Sequence, residues 1–354
     1  MALQTKKKNM INVLQAWRAI MMGMIFILHV CPDVLPFLSG GYETISFFII
    51  VSGFVLTLNF KGSDELSLKN IFNFTKKRIK KFYPLYMMAL IASFLVLLIS
   101  AIKVGTKEVF DLIFKFILDT LMIQSFIPVE SFYFSINGVS WYLSATLFFY
   151  FMFIPLFNFY KKFSLKKCIC FIFLNIVIFC AFIFVLQNSS NFSYLTYIFP
   201  VFRLLEFSIG ILLARIVNRP SKVVRESVAK SIATLFELAV IILFIAERYW
   251  LRIYSGNHDY QSIVGMLTAV LIVFVFSFEK GFISKILSNK LFVFIGNISF
   301  EIFIIHNTVK LYISTIAGVF DVKLPIVVLT LTITLIGAAL LHYKPYKLLN
   351  KKLG

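Results

Sequence analysis

Arg18 and His29 are the residues in this chain best suited to chemistry. They lie eleven positions apart in an apolar segment. On a helix, that spacing puts both side chains on one face, roughly 16 Å apart. Ionisable residues inside a bilayer are rare and usually functional, because hydrocarbon cannot solvate them. We interpret His29 as a proton-transfer group and Arg18 as a fixed cation. The alternatives are that Arg18 snorkels to the headgroups and that His29 is an ordinary interfacial residue.

Two more pairs of polar residues fall within apolar segments. Arg203 and Glu206 are three positions apart and can pair inside the bilayer, with a structural or a functional role equally open. Glu301 and His306 are five positions apart, so on a helix they point to different faces and are expected to meet other helices.

A dense cationic run, residues 76–81, precedes the apolar segment that begins near Tyr83. Arg78 and Lys81 would share a helix face at this spacing and could hold phosphate groups. The simpler alternative is anchoring by the positive-inside rule, which would explain the charge by itself.

Composition indicates an all-α polytopic membrane protein. The chain is 60% hydrophobic and 17% aromatic, and only 14% of its residues are charged. The net charge of +19 does not indicate a nucleic-acid partner, because the Lys and Arg residues lie in short loops between apolar stretches. The four cysteines have no metal-binding spacing, so we expect no metal.

The apolar runs predict ten membrane-spanning helices, with both termini in the cytoplasm. Segment 110–127 is excluded, since counting it would place a later lysine cluster outside. We expect it to lie at the outer interface or to dip into the membrane without crossing. Its Asp111, Lys115 and Asp119 form one polar stripe typical of an interfacial helix. We expect a single domain over 1–354 with no appended soluble domain. The predicted spans are 11–30, 43–60, 83–102, 139–159, 168–187, 195–217, 231–247, 262–278, 291–316 and 324–342.

From about residue 12 to 347, the chain resembles acyltransferase family 3, whose members are polytopic, use acyl-CoA and often O-acetylate bacterial surface polysaccharides. Each motif is short, but their common order makes the resemblance strong. The motifs are Arg18 with His29, Phe47 to Phe54, Arg78 to Pro84, Ser140 to Ser144, Arg203 to Gly210, Gly296 to Phe300, Ile305 with His306, and His342 to Pro345.

The resemblance implies roles for individual residues. His29 would be the catalytic histidine and Arg18 its partner in positioning the acyl donor. Arg78 and Lys81 would bind the phosphates of coenzyme A at the cytoplasmic side. The residues implied to line or brace the central cavity are Trp141, Arg203, Glu206 and His306.

The chain also departs from the family pattern. Lys81 stands where relatives have a second arginine, which keeps the charge but loses the bidentate fork. Acidic residues common in relatives are replaced by Gln15, Ser46 and Thr146. We hypothesise that Glu43, near the level of His29, supplies an orienting carboxylate instead.

The sequence therefore predicts a multi-pass O-acyltransferase of the cytoplasmic membrane. It would move an acyl group, most simply acetyl, from acyl-CoA to a sugar hydroxyl of a surface polysaccharide or its lipid-linked precursor. Its expected partners are that glycan and membrane lipids. The alternative is a transporter or flippase for a lipid-linked glycan or small amphiphile. The acceptor, the acyl group, a covalent intermediate and the oligomeric state stay open.

Overall fold

The computed structural model describes residues 11–218, 229–253, 258–320 and 325–343, and no β-strand occurs in these ranges. Helices account for 81% of this part of the chain. They are α1 (Asn12–Val30), α2 (Tyr42–Leu58), α3 (Leu68–Ile79), α4 (Tyr83–Val104), α5 (Thr106–Thr120), α6 (Glu130–Tyr133), α7 (Trp141–Tyr160), α8 (Leu165–Leu186), α9 (Pro200–Val217), α10 (Lys230–Ile253), α11 (His258–Phe276), α12 (Phe282–Leu287), α13 (Lys290–Asn297), α14 (Ser299–Phe320) and α15 (Ile326–Tyr343).

Each of the ten predicted spans is largely helical, and seven helical segments are long and apolar enough to cross a bilayer. These seven are α1, α4, α7, α8, α9 together with the turn before it, α14 and α15. Helix α2 and residues Gln261–Phe276 of α11 are apolar but shorter. Both chain termini and the end of the last motif, at Pro345, lie outside the described residues.

The prediction of one continuous helix over 291–316 was wrong. The helix is interrupted at Ile298, between α13 and α14. Gly296 lies against the backbone of Gln15 in α1, so closely that a Cβ atom there would overlap the Gln15 carbonyl. The hydroxyl of Ser299 donates to the carbonyl of Gly296 at 2.8 Å. The interruption thus brings α13 against α1 next to Arg18.

Helix α5, which ends at Thr120, covers the first part of the predicted non-crossing segment 110–127, and it is not among the candidate spans. It packs antiparallel to α4, with the rings of Phe94 and Phe116 4.5 Å apart and the Tyr86 hydroxyl donating to the Asp119 carbonyl at 2.7 Å. The predicted polar stripe is only partly present. Asp111 and Lys115 form an ion pair at 2.6 Å, but Asp119 is fully buried.

Helices α2 and α9 cross in direct backbone contact. A Cβ atom at Gly53 would overlap the carbonyl of Phe207, and one at Gly210 would overlap that of Ile50. Small residues at such crossings let helices in membranes pack closely. Two of the family motifs, around Gly53 and Gly210, are thus explained by this contact, which holds one wall of the central cavity.

Candidate active site

A cavity of about 240 Å³ lies between α1, α2, the end of α3, α7 and α14, and both Arg18 and Arg78 line it. The lining contains no acidic side chain among the residues described. The guanidinium of Arg18 donates to Oε1 of Gln15 at 2.9 Å, and that of Arg78 lies 5.2 Å from the centre of the Phe74 ring. Other polar residues of the lining are Ser52, Asn59, Tyr142, Thr146, Tyr150 and Ser299. Two cations distant in sequence therefore share one cavity.

Lys81 does not join Arg78 in this cavity, contrary to the prediction of a shared helix face. Helix α3 ends at Ile79 and the chain turns before α4 begins at Tyr83. The spacing rule requires a continuous helix, and here the helix ends between the two residues. Lys81 is exposed and lies outside the cavity lining.

His29 forms a hydrogen bond with His306, between Nδ1 of His29 and Nε2 of His306 at 3.0 Å. Their rings are nearly parallel, with centroids 5.2 Å apart. Nδ1 of His306 lies 3.1 Å and 2.8 Å from the carbonyl oxygens of Ile302 and Phe303. A carbonyl oxygen only accepts, so Nδ1 of His306 carries the proton and its Nε2 accepts from His29. With both rings neutral, this network leaves Nε2 of His29 with a free lone pair.

Two further residues connect the histidine pair to its surroundings. Lys310 donates from Nζ to the main-chain carbonyl of His29, near the end of α1. Phe303 lines the cavity, and its ring centroid is 6.2 Å from that of His306. Phe303 therefore lies next to both the cationic cavity and the histidine pair. Sequence reasoning missed Lys310, because a lysine near the end of an apolar run usually signals only an interface.

Arg203 and Glu206 pair with each other, as predicted, at 3.1 Å and with both side chains fully buried. Nη2 of Arg203 donates to the hydroxyl of Ser46 at 3.4 Å. Trp141 packs on Tyr197 at 5.0 Å, and the Arg203 guanidinium lies 6.0 Å from the centre of the same ring.

Of the residues predicted to line or brace the cavity, none appears in its described lining. They lie in the layer behind it. Trp141 precedes the lining residue Tyr142, and Ser46, the partner of Arg203, follows the lining residue Ile45. Their contacts fit bracing rather than lining, because large buried side chains fix the positions of the neighbours that reach the cavity.

The family model Acyl_transf_3, described as an acyltransferase domain, matches residues 11–343, nearly the whole chain. The chain belongs to the acyltransferase 3 family. Neither the curated proteins nor the solved structures give a match to it. The protein is thus an acyltransferase with several apolar helices able to cross a membrane.

In this acyltransferase, Glu43 has a different partner from the one hypothesised. It is the second residue of α2, it is buried, and it forms an ion pair with Arg248 of α10. Arg248 also donates to the carbonyls of Phe37 and Ser39. Glu43 therefore ties the α1–α2 loop to α10 and does not line the cavity. The side chain that His29 contacts is that of His306, which sequence spacing could not reveal because the two are 277 residues apart.

Proposed function

We propose that this acyltransferase moves an acyl group, most simply acetyl, from acyl-CoA to a sugar hydroxyl, with Nε2 of His29 as the general base. The observation that carries this proposal is the hydrogen bond from Nδ1 of His29 to His306. It orients the imidazole and leaves the second nitrogen free to accept a proton, which is what a general base requires.

The cationic cavity suits the donor. Coenzyme A carries phosphate groups, which guanidinium groups bind with paired, charge-assisted hydrogen bonds. Arg78 and Arg18 would hold these phosphates or position the thioester beyond them. The apolar part of the lining, which includes Phe48, Phe82 and Phe300, would exclude water and so favour transfer over hydrolysis.

The transfer itself needs only the groups named. The acceptor oxygen bonds to the acyl carbon while the carbon–sulfur bond breaks. His29 takes the hydroxyl proton, which then passes to the leaving thiolate and gives the free thiol of coenzyme A. The acceptor class, a surface polysaccharide or its lipid-linked precursor at the cytoplasmic membrane, rests on the family resemblance. Membership in an acyltransferase family favours this enzyme over the transporter alternative.

The first experiment measures transfer of labelled acetyl groups from acetyl-CoA to envelope glycans. It compares membranes that contain wild-type protein with membranes that contain His29→Asn. The amide nitrogen of asparagine can replace Nδ1 and still donate to His306, but it provides no base. We expect His29→Asn to lose base-labile label by about 100-fold or more, as for a general base. Full activity of His29→Asn would show that the histidine only holds His306. If wild type transfers no acyl group from any of several acyl-CoAs, the transporter alternative is favoured over the acyltransferase proposal.

A second experiment tests the proposed donor site by measuring KM for acetyl-CoA. Arg78→Ala should raise KM for acetyl-CoA by about tenfold or more, because it removes a hydrogen-bonding cation from a phosphate. Lys77→Ala is the matched control, since Lys77 is adjacent, exposed and outside the cavity lining. Equal KM values for the two variants would remove Arg78 from donor binding.

A further inference from the structure

A second, almost entirely apolar groove of about 530 Å³ lies on the other side of α3. Its walls come from α3, the first residue of α4, residues 122–126 and α7. The apolar side chains include Phe72, Ile123, Phe126, Leu147, Phe148 and Phe151. Its only charged residues, within the described lining, are Lys76 and Lys80.

Both lysines lie on the α3 wall of the groove, between the lining residues Phe72 and Tyr83 in the chain. Helix α7 forms its back wall, with Phe151 packed on Phe72 of α3 at 5.6 Å and Phe148 packed on Phe126 at 5.6 Å. The α3 wall thus carries both ammonium groups, whereas the walls formed by residues 122–126 and α7 carry no charge. Both lysines are exposed. Two exposed cations on one wall of an apolar groove complement a molecule with an anionic head and a hydrocarbon chain.

This groove and the cationic cavity use opposite sides of α3. At 100° per residue, positions 76 and 80 are about 40° apart, and each is about 160° from position 78. Arg78 accordingly lines the cavity, while Lys76 and Lys80 line the groove. A molecule bound in the groove would therefore hold the helix that presents Arg78.

We propose that the groove binds one anionic phospholipid, with its phosphate on Lys76 and Lys80 and an acyl chain along Phe72, Phe126 and Phe148. The bound lipid stabilises the position of α3 and hence of Arg78. This site is separate from acyl transfer, and binding can be measured without any activity.

The test is native mass spectrometry of the purified full-length protein in detergent, titrated with phosphatidylglycerol and, separately, phosphatidylcholine. The double variant Lys76→Gln/Lys80→Gln should bind phosphatidylglycerol at least about tenfold more weakly than wild type. Each lysine near an anionic headgroup strengthens the binding of the lipid by about fivefold. Phosphatidylcholine binding by this double variant should stay as in wild type. The matched control is Lys69→Gln/Lys77→Gln, which removes two charges from the same helix at exposed positions outside the groove.

Equal phosphatidylglycerol binding by the two double variants would overturn the proposal. Competition experiments with bound phosphatidylglycerol distinguish a phospholipid from two other ligands, a free phosphate and a polyprenyl phosphate. Glycerol phosphate has the head without the chain, and displacement of the lipid by it at equal concentration would contradict a role for the apolar walls. Tighter binding of a polyprenyl phosphate than of phosphatidylglycerol would also overturn the proposal and make the groove a site for a lipid carrier.

Discussion

At the scale of single residues, His306 is the group whose loss should be most informative, because it acts on His29 and not on the donor. His306→Ala removes the acceptor of the His29 proton and lets the imidazole rotate. We expect kcat to fall about 10–100-fold while KM for acetyl-CoA stays near the wild-type value, since misorientation of a base affects the chemical step.

His306→Gln gives the matched comparison, because its amide oxygen can occupy the place of Nε2 and accept from His29. It should retain clearly more activity than His306→Ala. If both variants lose activity equally, and KM rises with the loss, His306 braces the protein and does not orient the base.

Sequence alone selected Arg18, His29 and Arg78 as candidate site residues but could not show how they are arranged. Their types and spacing, with the family motifs, were sufficient to select them, because charge in an apolar segment is costly. The partner of His29 could not be found, since a contact over 277 residues leaves no local pattern. Glu43 was assigned to His29 because it stands at the same level, but Arg248 competes for its carboxylate.

At the scale of helices, the α2–α9 crossing should tolerate no added atom. Gly53→Ala or Gly210→Ala would push the two backbones apart and destabilise the protein by about 1–3 kcal/mol, as overpacking does elsewhere. Thermal unfolding in detergent should show a lower Tm. Gly23→Ala on α1 is the control, because no atom lies within 4 Å of its added Cβ and alanine favours a helix. A Tm unchanged from wild type at Gly53→Ala would contradict the close contact.

Helix α5, which is not among the candidate membrane spans, should make stability depend on pH. Burial raises the pKa of Asp119 to about 7, although the hydroxyl of Ser135 donates to both carboxylate oxygens. The folded state then binds this proton more tightly than the unfolded state does. Its stabilising contribution is complete below about pH 4 and is lost as the pH rises toward 7.

Asp119→Asn should abolish that dependence. Wild type should lose at least about 3 °C in Tm between pH 5 and pH 8, and Asp119→Asn should lose less. Asp111→Asn, on the exposed part of the same helix, should follow wild type. If the curves of Tm against pH are parallel for wild type and Asp119→Asn, Asp119 is not the titrating group.

Hydrophobic runs predicted where the helices lie, because a bilayer requires long apolar segments with internal hydrogen bonds. They did not predict the break at Ile298 or the burial of Asp119. Both depend on contacts with a distant segment: Gly296 with Gln15, and Asp119 with Ser135.

At the scale of the whole molecule, contacts between segments group the helix ends into two faces. On one face, Lys161 forms an ion pair with Asp64 at 2.8 Å and Arg215 donates to the carbonyl of Lys161. Val13 also donates to Glu279 at 3.3 Å on this face. On the other, Lys310 reaches the carbonyl of His29. The first face carries the lysine-rich loops, so the positive-inside rule predicts that it faces the cytoplasm.

Single cysteines in a protein lacking Cys31, Cys168, Cys170 and Cys180 test this orientation. A membrane-impermeant maleimide should label Ser190→Cys in intact cells, because Ser190 is exposed after α8 leaves the lysine-rich face. Ser63→Cys, exposed beside Asp64, should react only after permeabilisation. The reverse result would put Arg78, which follows the same loop, on the outer side. Acyl-CoA is a cytosolic donor, so that outcome would also remove Arg78 from donor binding and leave His29 at the wrong face for an external glycan.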